Sequence, residues 1–78
     1  MEKIWLEPND GRRSFYKKAY VIEEVGSRTL YSYNTPILRE DATGYTRLWD
    51  GYSATTQRHI NAFCGMGKKE FTSMEVGK

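Results

Sequence analysis

The stretch GYSATTQRHINAF, residues 51–63, holds the single histidine of the chain, His59, directly after Arg58 and close behind Thr55 and Thr56. An imidazole is the usual general acid–base group near neutral pH, so chemistry would begin here. It needs companions: a nucleophile within hydrogen-bond reach and a third group that orients the ring. Cys64, the single cysteine, lies about 140° from His59 around a shared helix, so the two do not form a dyad. It reads as a small core residue. One Cys and one His also fall short of the four ligands of a zinc site. The chain carries no glycine-rich phosphate loop and no nucleophile elbow. Paired carboxylates are no better placed. Glu23 and Glu24 alternate across a strand and point to opposite faces, while Glu40 and Asp41 fall in a polar loop. The expectation is a protein that is not an enzyme, with no catalytic residue, no metal and no cofactor.

Binding is the other chemistry these residues offer. Arg12-Arg13 and Lys17-Lys18 stand beside Phe15, Tyr16 and Tyr20, and a sheet bearing tyrosines can stack exposed bases. With Arg58, these four basic residues form the candidate nucleic-acid-binding set. Against that use, Lys17 and Lys18 project to opposite faces of a strand and acidic residues follow at once. The net charge of +2 is also far from the strong basic bias of many nucleic-acid binders. Tyr and Arg are equally the residues that dominate protein–protein contacts. Arg58, His59, Tyr52, Arg47 and Tyr45 make the candidate protein-binding surface, although several tyrosines must also complete the core of a chain with few aliphatics.

Positioning these groups requires a fold. Ile4, Trp5 and Leu6 are followed by the turn-rich EPNDG, which makes residues 1–13 a lead-in segment. SFYKKAYVIEEV, residues 14–25, is rich in aromatic and β-branched residues and reads as a long strand with both faces partly covered. Gly26 turns the chain into a second strand, Thr29 to Asn34, which continues or breaks at Pro36; a proline there belongs at an edge, a bulge or a strand start. Glu40 to Gly44 is a polar loop, and YTRLW, residues 45–49, is a further short strand stopped by Asp50-Gly51. Then the period changes. Ser53 caps a helix over 53–64 whose arc of Thr56, Gln57, Ile60, Phe63 and Cys64 faces the sheet, with Ile60 and Phe63 as anchors. His59 falls on its flank, about 100° from the centre of that arc, and Arg58 faces outward. Gly65 and Gly67 end the helix, and residues 65–78 are a tail or short turn docking Phe71 and Met74. The fold expected is α+β, a single small domain: a three- or four-stranded antiparallel β-meander within 14–49, with one C-terminal helix packed on one face.

With 78 residues and one cysteine, the domain has neither a large core nor a disulfide, so it depends on aromatic packing or on self-association as a homodimer. No apolar run reaches the ~18 residues of a membrane span, and the first residues lack a secretory signal pattern. The expected location is the cytoplasm, with no membrane partner.

The segments YSYNTP, residues 31–36, and SATTQRHINAF, residues 53–63, together with SFYKKAYVIEE, resemble a family of small uncharacterised proteins of Firmicutes bacteria, their phages and mobile elements. The shared pattern is Tyr-Ser-Tyr-x-Thr-Pro followed by Ser-Ala-Thr-Thr-x-Arg-His-Ile-x-x-Phe, borne here by Tyr31, Ser32, Tyr33, Thr35 and Pro36, then by Ser53 to Thr56, Arg58, His59, Ile60 and Phe63. The family carries no established activity, so the resemblance implies a setting rather than a site. Small proteins of that setting often bind a component of a host defence system, as anti-CRISPR proteins do. The implied function is a phage or mobile-element accessory protein that binds a host protein and inhibits a defence system. The pattern raises a surface role for Arg58 and leaves His59 mainly structural. The alternative is the nucleic-acid-binding module described above.

Overall fold

The computed structural model of the chain describes residues 2–7 and 17–77. Five strands follow one another as an antiparallel meander in the order β1 (Glu2–Trp5), β2 (Ala19–Glu24), β3 (Ser27–Ser32), β4 (Thr35–Asp41) and β5 (Gly44–Arg47). Two helices complete the fold, α1 (Ala54–Cys64) and the short α2 (Lys68–Thr72). The architecture is α+β, as the periodicities indicate, with one more strand at the start and one more helix at the end.

The differences have local causes. Residues 2–5 are not a lead-in: Ile4 and Trp5 pair with Val21 and Tyr20, since the apolar run Ile4-Trp5-Leu6 offers a side chain to each face of the sheet edge. Of the long strand expected over 14–25, β2 covers Ala19–Glu24; Lys17, with a left-handed φ of 59°, is not part of it, and residues 14–16 lie outside the described chain, as do Arg12 and Arg13. The second strand stops at Ser32, not Asn34. Tyr33 and Asn34 both take positive φ, 52° and 67°, forming the two-residue primed turn whose twist matches a hairpin. Pro36 sits at the start of β4 beside a bulge between Leu30 and Tyr31, which agrees with the sequence reading. Glu40 and Asp41 belong to β4 rather than to a loop, and only Ala42 and Thr43 turn. Asp41 stabilises that turn by accepting from the Thr43 amide at 2.9 Å and hydroxyl at 2.6 Å, an Asx-type bond. Its carboxyl is held below the usual range by those bonds.

One face of the sheet makes the core. Val21, Leu30, Ile37 and Leu38 meet Ile60 and Phe63 of α1, and Met66 and Phe71 close the cluster behind them. Both helical anchors are buried as expected. The bulge explains how adjacent Ile37 and Leu38 are both interior: one extra residue in β4 lets two neighbours turn inward. The Ser53 hydroxyl accepts from the Thr56 amide at 3.1 Å and starts α1, and Gly65, at φ 78°, ends it by donating to the Asn61 carbonyl.

Arg47 joins the parts. It is 7% exposed, and its guanidinium donates to the carbonyls of Trp49 (2.7 Å), Gly51 (3.1 Å), Phe71 (3.3 Å), Thr72 (3.3 Å) and Met74 (3.1 Å), lying 4.4 Å from the centre of the Phe71 ring. Phe71 and Thr72 end α2 and Met74 follows it, and the carbonyl-rich end of a helix attracts a cation. The main chain then returns to β5: Gly77 donates to the Arg47 carbonyl at 2.6 Å, and Val76 bridges Arg47 in parallel. Replacing Arg47 by Met removes five hydrogen bonds at once, while the Phe71 carbonyl keeps the one donated by the Met74 amide. We expect R47M to lose about 3–5 kcal/mol, enough to unfold a domain of this size, and R47K to recover only part of it. Urea denaturation followed by tryptophan fluorescence measures both.

Candidate functional site

The helices cover one face of the sheet; among the described residues, no element covers the other. Alternation and register place Lys3 and Trp5 of β1, Tyr20 and Ile22 of β2 and Tyr31 of β3 on it together. Trp5, Tyr20 and Tyr31 are direct cross-strand neighbours and form a row. Trp5 meets Tyr20 edge-on with centroids 5.6 Å apart, and Tyr20 stacks on Tyr31 at 5.0 Å with only 6° between the planes. The Lys3 ammonium lies 4.3 Å from the Tyr20 centroid and 4.5 Å from that of Trp5, inside cation–π range, and Lys17 reaches 5.8 Å from Trp5. The Tyr20 hydroxyl donates to the side-chain carbonyl of Asn34 at 3.0 Å, fixing the central ring. Trp5 remains 42% exposed. Each ring is thus held by its neighbours while its rim meets solvent, so a ligand docking here meets side chains that are already ordered.

The residues singled out in the sequence are distributed differently. Arg47 and His59 are interior, which corrects their assignment to an exposed protein-binding surface: Arg47 is taken up by the carbonyls described above, and His59 is 1% exposed. Tyr45 is partly exposed, and its hydroxyl bond to Glu40 raises its own pKa and lowers that of Glu40, whose main partner is the Arg28 guanidinium at 2.7 Å. Tyr52 is exposed with the Lys68 ammonium 5.1 Å from its ring, and Arg58 is half-buried on α1. The five do not make one surface. Of the basic set, Lys17 turns to Trp5 whereas Lys18 lies 5.8 Å from the Tyr33 ring, so the pair diverges, just before β2 begins rather than within a strand. Trp5 and Tyr31 are the residues that sequence reasoning did not bring together. Their signal was parity: with β1 recognised as a strand, Trp5 takes the same face as Tyr20.

His59 belongs to a polar seam between β3 and α1. Its Nδ1 shares a 2.8 Å hydrogen bond with the Ser32 hydroxyl, which lies 3.2 Å from that of Thr56. The flank position read from helical geometry becomes interior because Ser32 offers a partner at that point of the sheet. A serine hydroxyl on an imidazole is the pairing of nucleophilic hydrolysis. Here burial, helped by the nearby Arg58 charge, lowers the imidazole pKa to about 4, which makes it a weak base at neutral pH. A cleft of about 260 Å³ opens beside the seam, walled by Tyr33, Trp49 and Tyr52 and floored by Ser32, Ile37 and Thr56. Gly51 is required at its rim, since a Cβ there would come within 2.5 Å of the Trp49 ring. Among the described residues no group of His, Cys, Asp and Glu is arranged to hold a metal, and no helix is long and apolar enough to cross a membrane.

Residues 4–77 match the family of unknown function DUF8033. The chain belongs to that family. No curated protein and no solved structure matches it. The family match spans both the aromatic row and the polar seam, so each is an element of a fold that this DUF8033 member carries from end to end.

The seam gives a pH dependence with a definite sign. His59 is neutral when folded down to about pH 4 but takes up a proton near pH 6.5 when unfolded. Its contribution is complete above about pH 6.5 and is lost as pH falls toward 4, by about 3 kcal/mol in all. The depressed Glu40 and Asp41 add their loss only below their ordinary values of 4.5 and 3.8. Urea midpoints at pH 7, 5.5 and 4.5 should fall steadily for the natural chain and stay nearly level for His59→Gln.

Proposed function

We propose that this DUF8033 member is a protein-binding accessory protein of a phage or mobile element, docking on a host protein through the face of its sheet opposite the helices. The host component we assign to it is part of a defence system, by the setting that its sequence resemblance implies. The observation that carries the binding assignment is the row of Trp5, Tyr20 and Tyr31, interlocked and partly exposed on the sheet face opposite the core cluster. Aromatic anchors with a flanking cation are the composition of protein-binding hot spots. Their mutual stacking means little rotamer entropy remains to be lost on docking.

The same geometry weighs against base stacking. A base needs a vacant ring face, and Tyr20 has Tyr31 parallel on one side and the Lys3 ammonium at 4.3 Å. Glu24 and Asp41 share the face as well, by alternation from Ile22 and Arg39. The nucleic-acid reading keeps one supporting observation, the approach of Lys3 and Lys17 to Trp5.

Affinity capture from a Firmicutes lysate tests the proposal, with the natural chain and Tyr31→Ala immobilised in parallel. A partner should be retained reproducibly by the natural chain, and binding to Y31A should be weaker by at least about tenfold, as for a hot-spot residue. Absence of any reproducible partner, or equal capture by both chains, overturns it. Retention of single-stranded DNA at low salt that disappears as salt rises would put the nucleic-acid reading in its place.

A further inference from the structure

The two edges of the sheet are finished differently. On β5, Val76 and Gly77 lie alongside Arg47 and take up its carbonyl, so that edge is closed in part by the chain itself. On β1, among the described residues, nothing pairs with the outer side. The Leu6 amide donates inward to the Ala19 carbonyl at 3.0 Å, which sets the phase of the ladder. Even-numbered residues turn their amides and carbonyls toward β2, and Lys3, Trp5 and Glu7 present theirs outward. All four residues of β1 are exposed, Ile4 and Trp5 among them. Its outward amides and carbonyls can pair with another strand, and the charges of Lys3 and Glu7 beside them restrict which strand and register are accepted.

We propose that this edge pairs with β1 of a second copy of the chain, antiparallel about a two-fold axis through Trp5. Two-fold pairing within one sheet requires that opposed residues share a face, so the axis must pass through a residue rather than between two. Charge separates the registers centred on Lys3, Ile4 and Trp5. Centred on Lys3, the strands place Lys3 against Lys3, a like-charge pair. Centred on Ile4, they place Ile4 against Ile4 and Lys3 against Trp5, but Glu2 against the aliphatic Leu6, with no opposite-charge pair. Centred on Trp5, they place Lys3 against Glu7 of the second copy, Ile4 against Leu6, and Trp5 against Trp5. All three pair outward-facing residues with one another, but only the Trp5 register sets opposite charges against each other, aliphatic against aliphatic and ring against ring.

The consequence reaches the aromatic face. Trp5, Tyr20 and Tyr31 are already neighbours along one row. Across the two-fold axis the row continues from Trp5 into Trp5, Tyr20 and Tyr31 of the second copy. The dimer presents an unbroken aromatic stripe on a single sheet. Because β5 is partly occupied, addition stops at two copies rather than running on as a filament. This inference does not depend on the identity, or the existence, of a host partner.

Sedimentation equilibrium on the natural chain over a concentration series up to about 1 mM should show a species of twice the 9.1 kDa chain mass. Lys3→Glu and Glu7→Lys should each weaken association about tenfold, because each places like charges opposite at two symmetric positions. The double variant K3E/E7K should restore it. Circular dichroism of each variant confirms that the fold persists, since both positions are exposed. A natural chain that stays monomeric throughout the series overturns the proposal. A dimer that K3E leaves unchanged, or that the double variant does not recover, overturns it equally, because its interface is then not this register of β1.

Discussion

A buried guanidinium organises this molecule. Arg47 ends β5, and five carbonyl oxygens from two separate segments converge on it: Trp49 and Gly51 before α1, then Phe71, Thr72 and Met74 at and just after the end of α2. Hydrogen bonds from a charged donor are stronger than neutral ones, and the charge itself demands satisfaction once out of water. One residue therefore holds the approach to α1, the close of α2 and the final strand-like segment against the sheet. Phe71, fully buried beneath the guanidinium, adds an apolar contact to the polar one. In a chain with no disulfide, this junction takes the place of a covalent link.

From that junction follows the division of the sheet into two unlike faces. α1 and α2 are drawn to the side of Arg47, and there the aliphatic residues are consumed. The helix is registered on the sheet by the seam of Ser32, Thr56 and His59, whose hydrogen bonds cannot be moved by one residue without leaving a buried polar group unpaired. Arg28, paired with Glu40 and 4.7 Å from the Phe63 ring, guards the other end of the same interface. Among the described residues both helices lie on the core side, and the opposite face is stabilised by its own side chains. The interlocked rings of Trp5, Tyr20 and Tyr31, with Lys3 laid against them, do that. A surface that is self-supporting in the monomer is also well prepared to dock.

Much of this was legible in the residues. Ser53 and Gly65 bracket α1 because one supplies an oxygen for free amides and the other tolerates left-handed backbone, both local properties. Gly26, the bulge at Pro36 and the burial of Ile60 and Phe63 are local or periodic in the same way. Where the reading differed, a partner distant in sequence had intervened. β1 is a strand because Val21 and Tyr20 lie beside it. His59 is interior because Ser32 waits opposite. Arg47 looks like a surface arginine until α2, more than twenty residues later, brings its carbonyls.

The amino-acid sequence by itself determined the α+β class, the meander, the limits of the main helix and its anchors, since these depend on residue spacing and on caps within a few residues. Tertiary structure alone decided which polar residues are buried and which aromatic side chains share a face. Those outcomes depend on pairing across turns, where the addition of one edge strand and the choice of register reassign a whole set of side chains.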